Sequence, residues 1–186
     1  RFSISINSSN KLFVGGGATS YRQTNRVFRD TASWYHIVVA VDSTQSTADD
    51  RIKIYVNGTQ ETSFATNNAI ALNQNTPVNE NAKVHQFSGD QVANNNRLDG
   101  YMAHVHLIDG TQYAASDFGQ TDSTTGIWKP KLAPSVTYGT NGVFLKFASS
   151  GSLGTDSSGN GNTFSVNGNL KQSQTTPSNV FCKPNQ

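Results

Sequence analysis

An all-β fold, an antiparallel β-sandwich, is what this sequence predicts, on three observations. Apolar and polar residues alternate with period two in several short stretches, the pattern of strands that bury one face. Turn residues (Asn, Gly, Ser, Asp, Pro) separate those stretches at short intervals. No segment sustains the 3.6-residue apolar period of an amphipathic helix.

Each element has its own warrant. Phe2, Ile4 and Ile6 alternate with Ser3 and Ser5, which predicts a strand with one buried face. The polar run Asn7 to Asn10 then turns the chain into a second strand, Lys11 to Val14. Gly15-Gly16-Gly17 reads as a turn, because a phosphate-cradling glycine loop needs a following helix with Lys and Ser/Thr. Ser33 to Asp42 is apolar on both faces. Arg51 to Gly58 places Ile52, Ile54 and Val56 on one face and Arg51, Lys53 and Tyr55 on the other. Asn57-Gly58 supplies the positive φ angles of a two-residue hairpin turn. With a strand resuming around Gln60 to Phe64, these segments form an antiparallel meander. Residues 65–83 read as a long loop carrying at most a short strand. Val84 to Phe87, Leu98 to Ile108, Val143 to Phe147 and Thr163 to Val166 are the remaining expected strands. Ser116 to Gly119 has the residues of a helical turn, and Thr124 to Tyr138 reads as irregular.

Composition narrows the function classes. Hydrophobic residues make up 34% and charged residues 14%, both below the average for a globular domain. Net charge is only +2 with 10% aromatics, so the chain has a packed core and a neutral, polar surface rather than disorder. Lys and Arg nowhere cluster as nucleic-acid binders require. No run of 18 apolar residues exists to span a membrane. One cysteine, Cys182, makes no internal disulfide. The triplets Asn7-Ser8-Ser9 and Asn57-Gly58-Thr59 are weak glycosylation signals in a chain so rich in these residues. The opening at Arg1, within a strand pattern, reads as a piece of something longer.

The block Ser33-Trp34-Tyr35-His36-Ile37-Val38-Val39, followed by Arg51 to Gly58 and later by Leu98-Asp99-Gly100-Tyr101-Met102-Ala103-His104-Val105, resembles laminin-G-like, concanavalin A-like domains. That likeness implies a jelly-roll sandwich over residues 1–142 lacking its first strands. Residues 143–186 then either complete it or lead into a further module. A longer ordered series covers nearly the whole chain. It runs through Arg29-Asp30-Thr31, Ile108-Asp109-Gly110, Asp117-Phe118-Gly119, Thr125 to Pro130, Tyr138 to Gly142, Asp156 to Asn162 and Thr176 to Asn179. It resembles structural proteins of tailed phages, especially marine ones. The resemblance implies a virion-surface component (fibre, tail appendage or capsid-attached protein) held by other virion subunits, in a homo-oligomer with a trimer favoured. A host surface polysaccharide is the implied external partner.

For chemistry the sequence offers little. A glycan-cleaving site needs two carboxylates about 5–10 Å apart, and Glu61 and Glu80, the two glutamates, are not clustered; the expectation is a non-enzymatic protein. His104 and His106 share a strand face, a metal-compatible spacing, but no third ligand accompanies them. Asp156 to Gly161 echoes a calcium loop, yet Asn167 stands where the bidentate Glu belongs, so a turn is favoured. No cofactor is expected; if calcium binds, family likeness points to Asp99 or Asp156. Sugar recognition combines an aromatic platform with amide hydrogen bonds. Trp128, Tyr113 and Asn95 are the candidates, with Trp128 alternatively a plug beneath a loop.

Overall fold

The computed structural model describes residues 2–16, 19–76, 78, 84–89, 97–173 and 175–177. Its chain divides into two compact units, Arg1–Val78 with Gln112–Val136 and Asn79–Thr111 with Thr137–Gln186. The expected boundary between residues 142 and 143 falls inside the second of these.

In the first unit, β1 (Ser3–Ile6), β2 (Lys11–Gly16), β3 (Thr19–Val27) and β7 (Phe64–Asn67) form an antiparallel sheet in the order β1-β2-β3-β7. The β1–β2 turn is built by Asn7, whose Oδ1 accepts the amides of Ser9 and Lys11, both at 3.0 Å. Asn10 takes a φ of 59° there, which Asn tolerates better than other non-glycine residues. Between Lys11 and Phe13 the pairing with β3 shifts register, and Thr24 repairs the defect. Its hydroxyl accepts the Leu12 amide (3.1 Å) and donates to Arg26 O (2.8 Å), with no part of Thr24 exposed. Of the triple glycine expected to form a turn, Gly15 and Gly16 continue β2, paired with both neighbouring strands or with β3 alone, and Gly17 lies outside the described residues.

The facing sheet is a meander in the expected order, β4 (Ile37–Val41), β5 (Ile52–Val56) and β6 (Thr59–Gln60). Its first strand is shorter than the expected Ser33 to Asp42, and its third ends at Gln60, Phe64 belonging to β7. The Asn57-Gly58 turn has φ values of 50° and 80°, the two positive angles of a type I′ hairpin. Leu12, Val14 and Tyr21 meet Ile52, Ile54 and Ile70 in one buried cluster, with Ile37, Val39, Val41 and Phe64 packed on it. Each such aliphatic side chain contributes about 1.5–3 kcal/mol when fully buried. The result is an antiparallel two-sheet sandwich.

Ile4 and Ile6 depart from expectation. They lie opposite Val14 and Leu12, on the core side of the sheet, yet are 52% and 43% exposed. β1 is an edge strand of a four-stranded sheet facing a three-stranded one, so its inward face overhangs the core.

A short 3-10 turn, Ala48–Arg51, leads into β5. α1 (Ala115–Phe118) is the helical turn expected near Ser116, but the cap comes from Asp117, whose Oδ2 accepts the Ala114 amide at 2.8 Å. β9 (Gly119–Thr121) and β10 (Trp128–Pro130) then pair antiparallel. Part of the stretch expected to be irregular is thus a hairpin.

In the second unit, β8 (Val105–Leu107) pairs with β11 (Val143–Leu145). The long strand expected over Leu98 to Ile108 shrinks to three residues because His104 adopts a φ of 51°, which ends extended backbone. Tyr101, assigned to its inner face, is 65% exposed. Likewise Phe147, at φ 55°, stops β11 short of the expected end. Val84 to Phe87 and Thr163 to Val166 are not strands; the Phe164 amide instead donates to Gly154 O at 2.8 Å.

Candidate functional site

Trp128 organises one region of the first unit. Asp122 closes the loop that leads to it: Oδ1 accepts the amides of Thr124 (3.0 Å) and Thr125 (2.8 Å) and the Thr125 hydroxyl (3.0 Å). Lys129 Nζ reaches Asp122 Oδ2 at 2.8 Å. The Lys129 ammonium, followed by the Thr125 donors, holds the Asp122 carboxyl well below the usual carboxylate range. Ser123 to Ile127 is exposed, while Trp128 itself is half-buried.

The indole is clamped. Its Nε1–H donates to His36 Nδ1 at 3.0 Å. Since an indole nitrogen only donates, His36 Nδ1 must accept, so the His36 ring is neutral with its proton on Nε2. His36 is fixed in turn by the hairpin: its amide donates to Asn57 Oδ1 (2.8 Å), and the Asn57 amide donates to His36 O (2.8 Å). The ring lies against Gly58 and Gly119, where an added Cβ at Gly119 would sit 2.6 Å from ring atoms. Both glycines are therefore needed for close approach, and Gly58 also for its φ of 80°.

Tyr113 lies in the same unit, partly buried, its ring edge-on to Phe118 at 6.1 Å. Asn95 lies outside the described residues. Of the aromatic residues available for recognition, Tyr35 is spent on Phe28 (5.1 Å, edge-on). The sequence singled out Trp128 but did not reveal His36, Gly58 and Gly119 as its cradle, because no periodicity links positions so far apart.

The Asp156 loop of the second unit is a saturated turn. Oδ1 accepts the amides of Phe144 (3.0 Å) and Ser158 (2.8 Å); Oδ2 accepts the Ser158 hydroxyl (2.8 Å) and the Asn162 amide (2.9 Å). Asn160 and Asn162 donate to backbone carbonyls of residues 139–142. Four donors occupy the carboxylate oxygens that a calcium ion would need. Asp99 is exposed, and the described residues hold no group of three or more His, Cys, Asp or Glu suited to a metal.

His104 and His106 both lie against Phe144, at ring-centroid distances of 6.0 and 4.1 Å. His106 Nδ1 is hydrogen-bonded to the Tyr138 hydroxyl at 2.9 Å, so it is engaged in an aromatic stack rather than posed as a ligand. Burial, and then the negative charge of Asp156, push the Tyr138 phenol up to about 12. Burial, aided by Lys146, pushes His104 below its ordinary value of 6.5, and its Nδ1 has no hydrogen-bond partner among the described residues. For Asp156, burial pushes the carboxyl up, but its amide and hydroxyl donors outweigh it and leave the value lowered.

The signs of these shifts predict stability against pH. The unfolded chain takes up a proton on His104 as pH falls below 6.5, and the folded chain resists it, so stability decreases from there toward the folded value. Asp156 adds a second loss below its ordinary 3.8. In thermal melts followed by circular dichroism, the first decline should be reduced in His104→Asn, a substitution compatible with the positive φ. An identical profile for wild type and variant would refute the assignment.

Two facing antiparallel sheets define a β-sandwich, with one aromatic side chain clamped beside an exposed loop. A family model described as "Concanavalin A-like lectin/glucanases superfamily" (Laminin G type 3) matches residues 1–116. The match spans more than half the sequence, and the chain belongs to this superfamily. No curated protein and no solved structure matches it.

Proposed function

We propose that this chain is a non-catalytic, carbohydrate-recognising sandwich module carried on the surface of a bacteriophage particle. The observation that carries the recognition part is Trp128. Its orientation is fixed by His36, Gly58 and Gly119, so a sugar ring stacking on its remaining surface meets an aromatic that loses no freedom on binding. The exposed Ser123, Thr124 and Thr125 beside it provide hydroxyls for the polar half of such contacts. Superfamily membership supports the ligand class.

The absence of catalysis in this reading rests on how the carboxylates are used. Glu61 is buried against Arg26. Asp42, Asp109, Asp117, Asp122 and Asp156 each accept hydrogen bonds within their own turns or neighbouring loops. General acid and nucleophile roles require two carboxylates flanking the scissile glycosidic bond, and these six are committed elsewhere. The phage particle, and a trimer within it, rest on the ordered series of motifs from Arg29 to Asn179.

On an array of bacterial surface polysaccharides the chain should bind a subset, and Trp128→Ala should weaken that binding about tenfold or more, the loss expected when a central aromatic anchor is truncated. Circular dichroism of the variant separates lost binding from lost fold, and Thr125→Ala tests the same loop without removing the indole. A blank array for the wild-type chain would overturn the recognition reading. Native mass spectrometry of the source particle addresses the other part. A longer polypeptide in a trimer would support an appendage. A free 20.0 kDa monomer would favour a soluble lectin instead.

A further inference from the structure

Asparagine followed by glycine occurs at four places in this chain: Asn57-Gly58, Asn141-Gly142, Asn160-Gly161 and Asn167-Gly168. The pair is chemically labile. The glycine nitrogen, which no neighbouring side chain shields, can attack the asparagine Cγ once its proton is lost. The C–N bond to the side-chain amide breaks, ammonia leaves and a cyclic imide forms. Water then opens the imide at either carbonyl, giving aspartate or isoaspartate. The net change is amide plus water to acid plus ammonia, with no redox partner.

Sequence alone ranks the four pairs equally, whereas the fold separates them. Asn57 Oδ1 accepts the His36 amide at 2.8 Å. Asn141 is held by Asp109, which accepts both its backbone amide (3.2 Å) and its Nδ2 (3.1 Å). Asn160 Nδ2 donates to Gly139 O (2.6 Å) and Gly142 O (3.0 Å). Each bond restrains the side chain against the rotation that brings Cγ to the next nitrogen. Asn167 has no such restraint. It is exposed, lies outside helix and strand, and makes no side-chain hydrogen bond among the described residues. Gly168 follows it at φ 89°. In addition, a Cβ placed on Gly168 would sit 3.5 Å from Arg97 Nη1. A guanidinium that close favours loss of the glycine amide proton and later attracts the new carboxylate.

We infer that Asn167 is a site of spontaneous deamidation, the first of the four to convert in the folded protein. The product gains one negative charge, reducing the formal net charge of +2 by one, in the shape of a carboxylate beside Arg97.

The test is incubation of the intact protein at mildly alkaline pH, followed by tryptic digestion and mass spectrometry. Cleavage after Lys53, Lys131 and Lys146 puts Asn57, Asn141 and Asn167 in three different peptides, and fragmentation resolves Asn160 from Asn167. Acid should accumulate at position 167 well ahead of the other three, with isoaspartate and aspartate both present. In concentrated urea the four should convert at similar rates, and Asn167→Gln should silence the folded-state signal. The inference fails if Asn57, Asn141 or Asn160 converts as fast as Asn167 in the folded protein. It fails equally if position 167 stays amidated while the urea sample converts.

Discussion

Replacing Gly119 by alanine should cost the fold about 1–3 kcal/mol, the range for forcing a methyl into a filled space, and nearly all of that cost should vanish when Trp128 is already leucine. The φ of Gly119 is −149°, which any residue adopts, so the backbone raises no objection. The penalty comes only from the indole, 2.6 Å from the new Cβ and unable to slide because His36 holds its nitrogen. Gly58→Ala adds a second term, since a φ of 80° costs an L-residue roughly 1–2 kcal/mol. In the Trp128→Leu background that strain should survive while the steric part disappears. A double-mutant cycle from urea midpoints separates the two. Strictly additive costs for Gly119→Ala and Trp128→Leu would mean the ring is free to move.

The second large effect concerns a charge inside the sandwich. Arg22 lies opposite Val14 on the inward face of β3 and is 1% exposed. Its guanidinium sits 5.2 Å over the Phe64 ring, and Nη2 reaches Asp49 Oδ1 at 3.2 Å. Nε and Nη1 have no acceptor among the described residues. Asp49, by contrast, is 73% exposed and loses nothing by being left alone. Removing either partner is therefore far from symmetric. Asp49→Ala strands a buried cation and should cost about 1–3 kcal/mol, toward the lower side for buried pairs because the Asp49 carbonyl remains an acceptor. Arg22→Met keeps the volume, deletes two unsatisfied donors and should be neutral or stabilising. Melting temperatures of the two variants decide the matter; a larger loss in Arg22→Met than in Asp49→Ala would reverse the argument.

The same residue explains what could not be read from the sequence. β5 was legible because Ile52, Ile54 and Val56 alternate with Lys53 and Tyr55, so pattern and burial coincide. β3, the longest strand, gives no such signal: its inward positions include Arg22 and Thr24, polar residues whose burial depends on Asp49, Phe64 and a register shift in β2. The reverse failure is Ile4 and Ile6, apolar in sequence yet exposed because they sit at a sheet edge. Alternation from Leu98 to Ile108 was real but meaningless before His104, where a single backbone angle cuts the strand off on its N-terminal side. β9 and β10 are three residues each, too short for any period to register. At the candidate site, the position of Trp128 before Lys129-Pro130 in irregular chain pointed to it. Its surroundings come from three distant segments that only the fold brings together.

That convergence makes one chromophore an observer of the whole unit. Trp128 and Trp34 are the two indoles in the chain, and the bond to His36 spans 92 positions of sequence. Its emission colour and polarisation depend on the hairpin at Asn57, the strand at Gly119 and the imidazole at His36 all being in place. With Trp34→Phe removing the second indole, ultraviolet light alone can thus follow the moment when the two ends of this long loop close, without any label being attached.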